Sequence, residues 1–385
     1  MSTSVLFETW PTAGRQNIAV ATLNRPASLN GLTLEMCRSL SRQLARWEAD
    51  SSIALIVLRG SGEKAFCAGG DIRELYSSVL ANVGGRPWDN TLARQFFETE
   101  YRLDYAIHTC AKPVLCWGSG IVFGGGVGLM MGASHRVVTE STRFAMPEIS
   151  IGIFPDVGGT WMLGRLADGI GMFLALTGAQ LGAGDCRFLG LADYSIDSSK
   201  WTQLRHILDE QPWTDARREN DIRLDRALRT FESDPDGGVL PGPLQNHYTL
   251  IKGLCAGPDF DAICENLLSL TEHEDAWLRR AAMTFREGSP GSARLSFELL
   301  KRVRRMSLAD AFRQEYTAVL QCMAMGDFPE GVRALLIDKD KSPRWNPRTL
   351  ASASNDWAEL FFTPSWPQGA GHPLADMEQR THFAG

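Results

Sequence analysis

The sequence predicts an α/β protein with a helical C-terminal part, and three observations carry that expectation. Short aliphatic runs alternate with helical patterns through the first half. Residues 18–23 and 53–58 read as strands, and Leu32, Met36, Leu40, Leu44 and Trp47 recur between them at helical spacing. Glycine clusters follow two further apolar runs, at Gly69-Gly70 and at Gly124-Gly125-Gly126. Beyond residue 200 the strand-like runs stop. Residues 259–336 keep a helical period, as in Ile263, Leu267 and Leu270, or Leu295 and Leu299. Residues 1–200 therefore read as the core, and 201–385 as a helical region packing on it.

Taken in order, the first strand ends at Asn24-Arg25-Pro26, a turn with a strong breaker. Thr33 stands near the start of the helix that follows. Arg59-Gly60-Ser61-Gly62 ends the second strand, and strand–helix–strand of this length fits a crossover unit in a covered sheet. Residues 66–71 then lead into a helical pattern over 72–80. On its own, Gly69-Gly70-Asp71 is a turn and an N-cap. Residues 82–91 read as a loop, and 92–111 as a helix carrying Glu98, Glu100 and Tyr101.

Residues 113–117 are a buried strand by their apolar run. The glycine triplet separates it from a helix over 127–131. Glycines ahead of a helix let backbone approach a ligand, and the free N–H groups of the first turn point at it. Glu148 and Asp156 then sit in an otherwise apolar segment, 144–157. Among apolar neighbours the charged form of a carboxyl is disfavoured, which is how acids and bases are tuned. Backbone donors followed by two carboxylates suggest chemistry on a carbonyl. Each feature also has a plain structural account. Glu148 can pair with Arg136 or Arg143, Asp156 can form a turn or N-cap, and the triplet can serve tight packing.

A helix over 172–181 comes next, and 182–193 turns into another short segment. Residues 201–236 are rich in Arg, Asp and Glu and end in Asp234-Pro235-Asp236-Gly237-Gly238. Residues 338–343 are a polar turn, and the last ~20 residues are expected to be poorly ordered. No internal repeat is visible.

Composition narrows the function classes. With 385 residues, 44% hydrophobic and 22% charged, the chain has the balance of a soluble globular protein. A net charge of −6 leaves no electrostatic footprint for nucleic acid. The basic run at 301–305 reads as a solvated helix face. None of the eight cysteines forms a C-x-x-C pair, and they read as buried thiols in a reducing compartment. Cys67 lies near the candidate site, but no flanking base supports a nucleophile. No basic leader and no 18-residue apolar span is present, so a cytoplasmic protein without membrane contact is expected. A homo-oligomer is possible.

Several chemistries lack their motif. After Gly118-x-Gly120 the third glycine of a dinucleotide fingerprint is Phe123. No P-loop, no H-E-x-x-H and no G-x-S-x-G elbow occurs. The seven histidines are scattered, which gives a histidine metal cluster no support. No cofactor is expected.

The strings FCAGGDI (66–72), GGGVGL (124–129), and FAMPE (144–148) followed by IGIFPDVGG (151–159) resemble the crotonase (enoyl-CoA hydratase/isomerase) superfamily. Within it the resemblance is greatest to the 3-hydroxyisobutyryl-CoA hydrolase branch. Residues 326–333 and 336–340 are similar to that branch's tail motif. The resemblance implies a crotonase-like fold of repeated ββα turns in two sheets. It implies an acyl-CoA substrate, with CoA as part of the substrate. Ala68 and Gly125 would supply the two backbone N–H groups of an oxyanion hole, where losing one donor can cost ~3 kcal/mol. Glu148 would be the acid/base carboxylate and Asp156 the second carboxylate of the hydrolase branch. Glu100 would be a further substrate-contacting acid. Enoyl-CoA hydratases carry a second glutamate two residues after the triplet, where this chain has Gly128. That departure favours hydrolysis of a short 3-hydroxyacyl-CoA, as in valine breakdown. A hydratase or isomerase using Glu148, and a non-catalytic acyl-CoA-binding protein, are the alternatives.

Overall fold

The computed structural model describes residues 3–232 and 240–379. The Asp234 to Gly238 run singled out above lies outside the described residues. The strands, in chain order, are β1 (Val5–Trp10), β2 (Asn17–Leu23), β3 (Ile53–Gly60), β4 (Ala65–Cys67), β5 (Val114–Gly118), β6 (Ile121–Phe123), β7 (His135–Val138), β8 (Arg143–Ala145) and β9 (Tyr194–Ser195). They form one sheet in the order β1-β2-β3-β5-β7-β9 and a second in the order β4-β6-β8. β1 runs antiparallel to β2, and the other pairings are parallel. The successive pairs β3/β4, β5/β6 and β7/β8 each give one member to each sheet. α2 (Ile72–Ala81) follows β3 and β4, and a helix at Gly125–Gly132 follows β5 and β6. This is the expected ββα repeat.

The strands β2, β3 and β5 of the large sheet are buried on both faces, which explains their near-continuous apolar runs. Side chains alternate along β2: Ala19, Ala21 and Leu23 join the core that carries the cleft, while Ile18 and Val20 face the other way. The helices Trp201–Glu210 and Arg217–Arg229 cover that second face with Leu204, Leu208, Leu224 and Leu228. On the first face lies α1 (Leu34–Ala49). The Thr33 hydroxyl accepts from the Met36 N–H at 3.2 Å and caps its start. Its buried stripe is Met36, Cys37, Leu40, Leu44 and Trp47. Each such large apolar side chain contributes roughly 1.5–3 kcal/mol by leaving water.

α3 (Thr91–His108) crosses α1 and presents Glu100 and Tyr101 inward. From the C-terminal half, Leu295, Phe297, Phe312, Tyr316 and Val319 enter the same apolar cluster as the strands. The final segment corrects an expectation. Within residues 366–379, Trp366, Leu374 and Met377 pack against the core while 367–371 are exposed, and residues 380–385 lie outside the described residues. The Arg102 guanidinium on α3 holds that segment, donating to the Pro373 carbonyl and to Asp376, each at 2.7 Å. Three elements were invisible in the sequence because they are three residues long, too short for any period to register: β4, β6 and β8. β1 also went unread, and a single turn of 3-10 helix, Pro87–Asp89, interrupts the expected loop at 82–91.

Candidate active site

A cleft of about 720 Å³ opens where the small sheet meets the helix Gly125–Gly132, which begins within the glycine triplet. Ala68, Glu100, Gly125, Glu148 and Asp156 all line it. Residues spread over 89 positions of sequence are thus brought to one cavity by the ββα winding.

Glu148 opens a turn of 3-10 helix, Glu148–Ile151, that closes at Gly152 in the left-handed region (φ 79°). A Cβ added at Gly124 would lie 3.0 Å from Glu148 Oε1, and Gly124 itself has φ 50°. Glycine at 124 therefore serves the approach of this carboxyl. Glu148 Oε2 has no hydrogen-bond partner. The arginines that offered it a structural role are engaged elsewhere. Arg136 is bidentate on Asp193, at 2.8 and 2.7 Å, and Arg143 donates to Gln180.

Asp156 combines both of its accounts. Its carbonyl accepts from the Gly159 N–H at 2.6 Å, so the backbone does form a turn. Its carboxyl, however, caps nothing. Oδ2 accepts from the Tyr101 hydroxyl at 2.8 Å. Val157 beside it has φ 53°, an uncommon conformation for a β-branched residue and one that costs of order 1–3 kcal/mol.

Five carboxyl groups gather around this point: Glu100, Asp104, Glu148, Asp156 and Glu315. All are buried, and none has a Lys or Arg partner among the described residues. Burial disfavours their charged forms, and each charge disfavours the next. Burial pushes Asp156 up to about 6, opposed by the Tyr101 hydrogen bond. Glu148 is pushed well above the usual carboxylate range, by burial first and then by the charge of Asp156. Glu100 rises by burial and then by Asp156, and Asp104 by burial and then by Glu100. Such an array favours protonated acids and strong bases near neutral pH. By contrast the Cys67 thiol is buried and pushed up to about 12, which fits packing and not attack.

The backbone donors require one correction. The Ala68 N–H is spent on the Leu29 carbonyl at 3.0 Å. The next N–H, of Gly69, meets Cys67 Sγ at 3.4 Å, and that of Asp71 donates to the Leu32 carbonyl at 2.6 Å. Gly70 is the member of this run whose N–H finds no acceptor among the described residues, and it lines the cleft. Gly125 matches it across the cavity, because the first N–H of a helix has no intrahelical partner.

Position 128 has no room for a side chain. A Cβ at Gly128 would fall 2.5 Å from Asp104 Oδ2 and 2.8 Å from Val157 Cβ. Asp104 went unnoticed in the sequence, although it stands one helical turn after Glu100, a spacing that puts both acids on one face of α3. Tyr101 was noted without a role. Glu315 carried no local signal, since its partners are 155 and 157 positions away.

The matched family model is the enoyl-CoA hydratase/isomerase model, spanning residues 18–362. The chain belongs to this family. Within it, the chain is 39% identical over 360 residues to a protein of Danio rerio named 3-hydroxyisobutyryl-CoA hydrolase, mitochondrial, covering 93% of this chain and 89% of that one. A solved structure called an enoyl-CoA hydratase, from Rhodobacter sphaeroides 2.4.1, superposes with a TM-score of 0.80 at 32% identity, covering 94% of this chain and 98% of that one. A carnitinyl-CoA dehydratase from Mycobacterium thermoresistibile gives 0.81 at 32% identity, covering 94% and 97%.

Proposed function

We propose that this chain hydrolyses a short 3-hydroxyacyl-CoA thioester, specifically 3-hydroxyisobutyryl-CoA, to 3-hydroxyisobutyrate and CoA. One observation carries the choice between the hydrolase and hydratase names among its relatives. The place of the hydratase's second glutamate is Gly128, and Asp104 and Val157 fill the space beyond it. Adding water across a double bond uses two carboxylates over that bond. This cleft instead pairs Glu148 with Asp156.

In this proposal the Gly70 and Gly125 N–H groups take the thioester oxygen, Gly70 replacing Ala68 in that role. They stabilise the charge that develops as the carbonyl is attacked. Glu148 supplies the attack, either with its own oxygen through an acyl-glutamate or by taking a proton from water. If Glu148 attacks, the C–S bond breaks as the acyl-glutamate anhydride forms and CoA leaves as the thiolate. Water then cleaves the anhydride, freeing the acid and the Glu148 carboxylate, and its proton goes to the thiolate. If Glu148 activates water, the C–S bond breaks as the tetrahedral adduct collapses, and the proton taken from water goes to the CoA sulfur. Asp156, held by Tyr101, binds the substrate hydroxyl or passes that proton. Glu100 lies against Gly125, where an added Cβ would come 2.4 Å from Glu100 Oε1, and so borders the acyl end of the cleft. No metal or redox cofactor enters this scheme.

The eight buried free thiols fit a reducing compartment. The relatives are named as mitochondrial, so the cytoplasmic placement expected from sequence is not supported by them. No helix among the described residues is long and apolar enough to cross a membrane.

The test is a panel of acyl-CoA thioesters followed with a thiol-detecting reagent. Free thiol released fastest from 3-hydroxyisobutyryl-CoA supports the proposal. Hydration of crotonyl-CoA without thiol release would replace it with the hydratase reading.

A further inference from the structure

Glu315 lies on the helix Leu308–Met325 in the C-terminal half and is fully buried. Its Oε2 accepts from the Gly158 N–H at 2.8 Å, and its Oε1 from the Thr160 N–H at 3.1 Å. The Thr160 hydroxyl donates to the same Oε1. Burial raises this carboxyl to about 8, and these three donors oppose the rise. A buried carboxyl without a cation is costly, and a neutral side chain of similar size would pack as well. What offsets that cost is the set of three donors that Glu315 grips. Val157 and Gly158 are consecutive left-handed residues, with φ 53° and 78°. A turn strained in this way persists only where its surroundings over-determine it. That turn carries Asp156, whose side chain is held from the other side by Tyr101.

We propose that Glu315 is a positioning residue for the reaction. It clamps the backbone from Gly158 to Thr160 so that the Asp156 carboxyl is held in the cleft beside Glu148. The C-terminal half, which lines the cleft with Phe328, Leu335 and Leu336, thereby also serves the reaction through Glu315, which acts by way of Asp156 and does not line the cleft. The inference rests on the role proposed for Asp156.

The experiment is a double-mutant cycle in the full-length chain with 3-hydroxyisobutyryl-CoA. Glu315→Gln keeps the volume but sets an amide NH₂ against backbone donors, so at least one of the three bonds is lost. A misplacement of about 1 Å can cost ~10²-fold in rate, and kcat is expected to fall about ten- to a hundredfold with KM nearly unchanged. Combined with Asp156→Asn, it should lower kcat no further than Asp156→Asn alone, because both act through one carboxyl. Wild-type kcat in a folded Glu315→Gln overturns the inference. So do losses that multiply in the double variant, or a KM that rises in step with the fall in kcat, since a merely structural clamp behaves that way. Should Glu315→Gln fail to fold, Thr160→Val removes one bond and leaves the carboxyl in place, and the same split and the same cycle apply. A fully active Asp156→Asn is a separate result, seen in that arm alone. It would remove the role proposed for Asp156 and leave Glu315 nothing to position.

Discussion

The Tyr101 hydroxyl donates to Asp156 Oδ2 at 2.8 Å, joining α3 to the turn that follows Glu148. Burial raises Asp156 to about 6, and this bond works against the rise by favouring the ionised form. Tyr101→Phe removes that help, so the Asp156 pKa should climb further. If Asp156 acts ionised, the acid limb of the kcat/KM profile moves to higher pH in the variant. A limb that stays in place, or moves down, would show that the limb belongs to another group.

Glu148→Gln keeps the shape of the side chain and removes its basicity and nucleophilicity. General acid–base catalysis contributes roughly 10²–10⁴-fold, so kcat should fall by at least about a hundredfold while CoA binding and the melting temperature change little. Stopped-flow or thiol-release kinetics with calorimetric CoA titration measures both. A variant keeping more than about a tenth of the wild-type kcat would assign the chemistry elsewhere.

Asp156→Ala separates two tasks. If Asp156 binds the substrate hydroxyl, the loss is larger on 3-hydroxyisobutyryl-CoA than on isobutyryl-CoA, because a polar site discriminates through the group it pairs. If it moves a proton, both substrates suffer equally. The measurement is kcat/KM for both thioesters in wild type and variant, and an undiminished variant would return Asp156 to a turn-former.

Gly128→Glu should not create a hydratase. Its Cβ would meet Asp104 Oδ2 at 2.5 Å and Val157 Cβ at 2.8 Å, and a sixth acid would join a site already crowded with five. Overpacking of this kind typically costs about 1–3 kcal/mol, so the melting temperature should drop and thiol release should fall. Crotonyl-CoA hydration appearing in a stable Gly128→Glu protein would contradict the account of position 128.

The local pattern determined a good deal here. The apolar runs of β2, β3 and β5 announced buried strands, because a sheet covered on both faces needs apolar side chains on both. Glu148 and Asp156 stood out because charge is rare in an apolar stretch, and the triplet because glycine before a helix bares backbone donors. The short strands of the second sheet were not legible, since three residues make no period.

Tertiary structure alone decided the rest, and the reason is hydrogen-bond supply over long sequence separations. Whether a backbone N–H is free depends on which distant carbonyl reaches it. Leu29 takes the N–H of Ala68 and leaves Gly70 free, a fact no motif encodes. Position 128 is closed by Asp104 and Val157, which lie 24 and 29 residues away. Glu315 finds Gly158 across 157 residues because the C-terminal helices fold back on the site. A sequence lists donors, acceptors and acids, but pairing them across such distances is settled only by packing, and packing determines which donors and acids remain for the substrate.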